Sequence, residues 1–328
     1  MFFPEQLHRI AVVGIGCCGH NAINYLAPDL ADDVDLWVFD TDARGMKSSE
    51  RIKKFAIGSE VTNGLSAGAI PEVGEKAAEQ DKHYITQSLQ SYDLVFITGG
   101  LGGGTATGAI PLICDWLSET SAVTIAIVTM PFEFEGMKKS RFSQVALDKI
   151  NIGADSTIVV ANQKLLSTLP KSSTLISAFE ASNQVLKRSL IGIYSLISTA
   201  GYINLDFADL RTMLHQAGPT VIGYGEGVGE GRIQKAIDAA LDNPLLSDFD
   251  ITTAKAVLIN ITADQSLGLG EIHSVGELLT EQIKGDIPII IGNVITTTKQ
   301  DDVKIYAIFS GVQSLALNNI LKPRELWT

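Results

Sequence analysis

The chain has 328 residues, 45% of them hydrophobic and 19% charged, which is long enough for two domains and too apolar for a disordered polymer. Its 25 basic and 37 acidic side chains give a net charge of −12, which disfavours non-specific attachment to nucleic acid or an anionic membrane. No apolar run approaches the roughly 20 residues that span a bilayer; the start Met1-Phe2-Phe3-Pro4-Glu5 lacks a secretory pattern, and Cys17, Cys18 and Cys114 form no disulfide framework, so a cytoplasmic protein is expected.

Along the first two-thirds, short apolar runs alternate with helical patterns, as in a mostly parallel sheet covered by helices. Arg9–Ile15 is predicted as a strand that runs into Gly14-Ile-Gly-Cys-Cys-Gly19, with a helix from about Asn21. Val34–Asp40 is the second strand. Pro71 opens a helix, where its missing N–H costs nothing. Leu94–Thr98 is a strand followed by the glycine-rich stretch Gly99–Gly108 and another helix, and Val123–Thr129 and Thr157–Val160 are further strands. From Thr174 to Ser198 apolar residues recur at steps of three, four or seven, the stripe of one long helix. Beyond it, β-rich runs at Ala256–Ile261, Ile287–Ile291 and Val303–Phe309 are spaced by helices at about 229–242 and 271–284. The expected organisation is a Rossmann-like α/β domain over 1–172, a long core helix over 173–200, a second, smaller α/β domain over 201–316 and a short tail over 317–328.

Gly14-Ile-Gly16-Cys-Cys-Gly19 matches G-x-G-x-x-G between a strand and a helix, and Asp40 ends the next strand. Alone, this window suits a dinucleotide-binding fold, with small residues and a helix N-terminus receiving a phosphate. The plain structural reading is a tight turn with close helix–strand packing. Six glycines and two threonines within Gly99–Gly108 form a second cradle, for which a flexible loop is the plain alternative. No lysine follows either turn, so the P-loop pattern is absent. Phosphate charge then falls to backbone N–H groups, threonine hydroxyls and a metal ion. Two cradles suit a mononucleoside triphosphate better than a dinucleotide. Cys17, Cys18 and His20 crowd one turn without the usual zinc spacing, so no protein-bound metal is expected there.

Gly102-Gly-Gly-Thr-Ala-Thr-Gly108 resembles the glycine motif of the tubulin/FtsZ superfamily. Other segments resemble bacterial FtsZ in the same order: Gly14–Asn21, Thr41-Asp42-Ala43, Gly64–Gly74, Pro131–Gly136, Asn162–Leu165 and Asn204-Leu-Asp-Phe-Ala-Asp-Leu-Arg211. The resemblance runs from about Arg9 to Val312. It implies the tubulin/FtsZ fold, GTP or GDP with Mg2+ accompanying the triphosphate, and head-to-tail self-association into filaments, alone or with other FtsZ-family subunits. It places Gly102, Gly103, Gly104, Thr105, Ala106, Thr107 and Gly108 at the phosphates, with Gly16, Cys17, Cys18, Asn21, Ala67 and Gly68 lining the same pocket. Glu135 would accept from a ribose hydroxyl and Lys139 would stand nearby. Asn162, Asn183 and Gln184 would face the base, with Phe179 packing on its ring. Asp206 and Asp209, with Asn204, would enter the neighbouring subunit's site and position the attacking water, since phosphoryl transfer is mostly positioning and electrostatics. The plain reading of Asp206 is the N-cap of a helix over Phe207–Leu214, with Asp209 in its first turn.

The departures from that family pattern cluster in the pocket. Cys17, Cys18 and His20 stand where the family has glycines, and any of them at φ > 0 would cost about 1 kcal/mol or more. Ala106 replaces a glycine, Ile70 an asparagine, and Lys139 an arginine found in many relatives. Gln184 stands where the family's helix carries aspartate, leaving one guanine donor without an acceptor, so weakened guanine selectivity or an altered nucleotide choice is expected; the plain alternative is that Asn183 and Asn162 carry recognition and Gln184 is incidental. The usual membrane-adaptor tail has no counterpart in Leu321–Thr328. Two functions follow: a filament-forming GTPase in cell division or a related cytoskeletal role, or a filament-forming or regulatory protein with weak, altered or no hydrolysis. An NAD-dependent oxidoreductase lacks an accompanying acid–base constellation.

Overall fold

The structure, a computed structural model, describes residues 8–44, 46–47, 49–170, 172–198, 206–283, 287–296 and 301–315. Its contacts divide the chain into a unit ending at Lys187 and a unit beginning at Arg188.

In the first unit, β1 (Ile10–Ile15), α1 (Gly16–Leu26), β2 (Val34–Asp40) and β3 (Ile52–Ala56) are followed by three helices, α2 (Ser59–Thr62), α3 (Pro71–Gln80) and α4 (Lys82–Leu89). Then come β4 (Leu94–Gly100), α5 (Thr105–Ser118), β5 (Val123–Met130), α6 (Met137–Gly153), β6 (Ser156–Ala161) and α7 (Asn162–Thr168). The strands pair in parallel in the order β3-β2-β1-β4-β5-β6. That is the doubly wound order, which reverses between β1 and β4 and opens a crevice beyond the carboxyl ends of those two strands. The six residues of β1 are all buried, as are the first six of β4 and the first seven of β5. Their unbroken apolar runs, with no alternation, reflect a sheet covered on both faces. Eleven of the fourteen residues of α5 are buried, and Ala109, Ile110 and Ile113 pack with Val13, Ile97 and Ala126 in one core.

Helix α8 (Leu175–Ser198) crosses the division between the units. The second unit continues through α9 (Phe207–Leu214), β7 (Gly218–Val228), α10 (Arg232–Leu241), β8 (Phe249–Asp250), β9 (Ala256–Asp264), α11 (Leu269–Gln282), β10 (Ile289–Thr296), β11 (Asp302–Ser310) and β12 (Gln313–Ser314). Here β9 pairs in parallel with β10 and antiparallel with β11, which pairs antiparallel with β7. Val257, Ile259, Ile261, Ile305, Ala307 and Phe309 form its core with Ile233 and Ile237 of α10. Arg232, 5% exposed, is held by a fork of hydrogen bonds to Glu271 at 2.7 and 2.8 Å and by Asp301 at 3.1 Å.

Two expectations need correcting. The first helix begins at Gly16, not near Asn21, so the cysteines lie in its first turn and not in a preceding loop. The backbone strain feared at Cys17, Cys18 and His20 is absent, because the positive φ of this turn falls on Gly16 alone, at +70°.

Candidate nucleotide-binding site

The crevice is a cavity of about 380 Å³ built entirely from the first unit. Two helices begin on it. Helix α1 starts directly after β1 and α5 follows the adjacent strand β4 across the turn 101–104, and neither carries a side-chain cap nor an acidic residue in its first turn. The orphan amides and positive dipole ends of both helices therefore face one space, which is the physical requirement for holding an anion. Gly16 permits this convergence: a β-carbon there would meet Thr105 Cβ at 3.3 Å and the Ala106 amide nitrogen at 3.5 Å. The Thr105 hydroxyl lies 2.9 Å from that of Thr41, which also accepts from the Ala67 amide at 3.1 Å, so the end of β2 and the loop before α3 are tied to the start of α5.

The remaining wall carries charge that is already paired. Glu135 accepts from Lys139 at 2.8 Å and from the Phe132 amide at 3.0 Å. Asp42 is clasped by Arg44 at 2.6 Å, which lowers its carboxyl to about 2. Asp40, 6% exposed, accepts from the Thr41 amide at 2.8 Å, yet burial pushes its carboxyl upward. Burial also raises the thiols of Cys17 and Cys18, so both are neutral thiols at pH about 7, and it lowers His20, with Lys54 adding to the effect. The wall thus offers no uncommitted cation. On the side built by α7 and α8, Asn162, Phe179, Ser182 and Asn183 line the cavity. Phe179 meets Phe132 edge-on at 5.5 Å, and Phe132 stacks on Phe134 at 5.0 Å. An aromatic ring beside neutral amides is the equipment for a heterocyclic base.

Of the expected pocket residues, Gly16, Cys17, Cys18, Gly103, Gly104, Thr105, Ala106, Glu135, Lys139, Asn162, Phe179 and Asn183 line this cavity. Asn21, Ala67, Gly68, Gly102, Thr107, Gly108 and Gln184 do not. Several of these are committed elsewhere. The Gly102 amide donates to Thr107 Oγ1 at 2.9 Å, the Gly108 amide to the Gly104 carbonyl at 3.0 Å, and Gln184 accepts from the Tyr25 hydroxyl at 2.7 Å. Asp40, Asp42, Arg44, His20 and Thr129 line the cavity as well. In the sequence Asp40 ends the strand after the first glycine turn and Asp42 lies in the matching segment Thr41-Asp42-Ala43; their position, with Arg44, just after a strand's carboxyl end was the available signal. In the second unit Asp206 caps α9, accepting from the Ala208 amide at 3.2 Å, and Asp209 is exposed in its first turn. Asn204 lies outside the described residues. Among the described residues, no three His, Cys, Asp or Glu side chains converge to hold a metal.

Comparison with known proteins agrees with this geometry. The GTPase-domain model of the Tubulin/FtsZ family matches residues 9–170, and the C-terminal-domain model of the FtsZ family matches residues 218–313. Cell division protein FtsZ of Coxiella burnetii is 39% identical over 311 residues, covering 95% of this chain and 81% of that protein. The protein of that name from Wigglesworthia glossinidia brevipalpis is 38% identical over 315 residues, covering 95% and 82%. Among solved structures, an FtsZ dimer from M. jannaschii is similar with a TM-score of 0.87 at 31% identity, covering 99% of this chain and 96% of that one. A doubly wound sheet whose reversal point carries two uncapped helix starts, followed by a second unit matched by the FtsZ C-terminal model, is the arrangement of the tubulin/FtsZ GTPase family, and the chain belongs to it.

Proposed function

We propose that the chain binds GTP and GDP in this cavity, assembles head to tail with copies of itself or with other FtsZ-family subunits, and hydrolyses GTP where successive subunits meet, in cell division or a related filament role. The observation that carries the reading is the pair of uncapped helix starts, α1 and α5, facing one cavity. Their amides cradle the phosphates at Gly16–Cys18 and Gly103–Ala106. Glu135 accepts from the ribose, and Phe179, Asn162 and Asn183 take the base. The relatives' name, cell division protein FtsZ, and the dimeric state of a solved relative support the assembly.

Neutralising a triphosphate needs positive charge that this wall lacks, because Arg44 and Lys139 are both paired. Mg2+ fits that need. It binds through substrate phosphates and water and requires no cage of protein side chains, and it would neutralise charge that develops on the phosphates. Asp209, exposed beside the Asp206 cap, polarises and orients the attacking water in the adjoining subunit's cavity, with Asn204 as a further contributor. A head-to-tail contact is heterologous, so it propagates into an open filament unless its rotation closes a ring. The free cysteines suit a reducing cytoplasm.

The three side chains Cys17, Cys18 and His20 on the phosphate side favour a second reading, a filament-forming or regulatory protein with weak or no hydrolysis. Phosphate release and sedimentation followed together over a protein concentration series separate the two. Specific turnover that rises with concentration and disappears in Asp209→Ala supports the GTPase; sedimentation without turnover supports the second reading.

A further inference from the structure

Away from the nucleotide cavity, the first unit carries a groove of about 450 Å³, where α5 packs between α3 and α6. Pro111 and Leu112 of α5 form its floor, and Val145 and Ile152 of α6 stand at its edge. Those two side chains are 54% and 85% exposed, so α6 shows water an apolar stripe at the spacing of a packing face. Five charged side chains line the same groove: Glu72 and Glu75 on α3, Asp115 on α5, and Arg141 and Lys149 on α6. Among the described residues, none of the five has a side-chain hydrogen bond or an ion pair within the chain.

The two ends of the groove differ in charge pattern. Where α3 crosses the start of α5, a β-carbon on Gly108 would lie 2.3 Å from the Glu75 amide nitrogen. The start of α6 is at this end too, since a β-carbon on Gly102 would lie 3.0 Å from Lys139 Cβ. At the other end Gly153 of α6 meets Asp115, with 2.9 Å from its built β-carbon to the Asp115 amide nitrogen. Helices α5 and α6 therefore run in the same direction. Glu72, Glu75 and Arg141 mark the near end, and Asp115 and Lys149 the far end. Arg141 and Lys149 are about 12 Å apart along α6, and Gly108 and Asp115 about 10 Å apart along α5, at about 1.5 Å per residue.

A second α6 laid antiparallel in this groove meets its complement at each point. Its Lys149 falls at Glu72 and Glu75, its Arg141 falls at Asp115, and its Val145, midway between, falls on the apolar floor. The operation that places it there is a two-fold rotation about an axis near Val145, so the same contacts form in the other copy's groove. We propose that this face is an isologous contact that takes α6 of a second copy of the chain. It is separate from the head-to-tail contact and does not depend on nucleotide. Because a two-fold contact closes on itself, it joins two chains and does not elongate a filament.

The test is sedimentation equilibrium of the full-length chain without nucleotide, over a concentration series, for the parent, Val145→Glu, Arg141→Glu and Asp115→Lys. The parent's mass should rise toward twice 35.1 kDa and stop there. Val145→Glu sets two carboxylates against each other at the axis. Arg141→Glu sets carboxylate against carboxylate, and Asp115→Lys sets cation against cation. Each should weaken the dimer at least about tenfold. All three positions are exposed, so thermal melts should match the parent's. Mixed in equal amounts, the Arg141→Glu and Asp115→Lys chains place opposite charges at both contacts of a heterodimer. Its dissociation constant should return to within about threefold of the parent's, which no folding defect can produce. A parent that stays monomeric at the highest concentration overturns the proposal and leaves the groove to a different occupant. A mass that grows past the dimer, or a dimer indifferent to Val145→Glu and Arg141→Glu, also overturns it. A mixture that associates no better than its components overturns the antiparallel register.

Discussion

Gly103 lines the cavity, yet a β-carbon built on it meets no heavy atom within 4 Å. Its φ is not in the left-handed region, so Gly103→Ala adds a methyl group where the fold has room and the ligand does not. Removing one glycine's freedom from the unfolded chain should leave stability unchanged or raise it by about 0.4–1 kcal/mol. The methyl keeps a phosphoryl oxygen from hydrogen-bond distance of the neighbouring amides. Losing one charge-assisted bond costs about 1.5–3 kcal/mol, or roughly 10- to 150-fold in affinity. Gly108, five residues on, is the control. Its β-carbon would lie 2.1 Å from the Pro71 carbonyl oxygen and 2.3 Å from the Glu75 amide nitrogen, where α3 and α5 cross. Gly108→Ala should cost about 1–3 kcal/mol of overpacking, a fall of roughly 2–4 °C in Tm per kcal/mol for a unit of this size. Thermal melts without nucleotide and a titration with labelled GDP read the two effects separately. A Gly103→Ala protein that binds GDP as tightly as the parent would show that the phosphates do not rest on this turn.

Asp206→Ala removes the cap of α9 and should cost about 0.5–2 kcal/mol, whereas Asp206→Asn keeps the acceptor and should melt with the parent; equal losses in both would contradict the capping geometry. Glu271→Gln strips a buried guanidinium of its charged partner and should cost about 1–3 kcal/mol near neutral pH. Arg232 holds the Glu271 carboxyl below its usual range, so this contribution is present above about pH 4.3 and is lost as the pH falls through the lowered value; the parent–variant gap in a pH series of urea melts should close at acid pH. Asp40 has the opposite sign, because burial raises its carboxyl. Its ionisation therefore weakens the fold as the pH rises through the raised value, and Asp40→Asn, which keeps the acceptor for the Thr41 amide, should gain on the parent as the pH rises from about 4 through that raised value. A gap independent of pH would mean that Asp40 does not titrate where burial places it.

Much of this was legible in residue order. The unbroken apolar runs at Ile10–Ile15, Leu94–Thr98 and Val123–Thr129 could only be strands covered on both faces, and a glycine turn after each of the first two placed the cavity. The start of α1 was not legible, because two cysteines, a histidine and two glycines are poor helix formers; the sheet, and not propensity, winds that turn. Nor was the Tyr25–Gln184 contact, which joins side chains 159 residues apart and turns Gln184 away from the place that its helix position suggested. The roles of Thr41 and Thr105 share that history. Both residues stand in segments that carry the family resemblance, but their hydroxyls meet only because β2 and β4 flank β1 in the sheet.

A mixing experiment tests the division of labour between subunits most directly. Gly103→Ala, at nucleotide concentrations that leave its cavity empty, keeps an intact Asp209, and Asp209→Ala keeps an intact cavity. Each alone should release almost no phosphate. Mixed in equal amounts and ordered at random, about one head-to-tail contact in four pairs an intact cavity with an intact Asp209, so turnover should return to roughly a quarter of the parent's. A mixture that co-sediments and stays as inactive as its components would contradict catalysis shared between one subunit's phosphate cradle and the next subunit's aspartates.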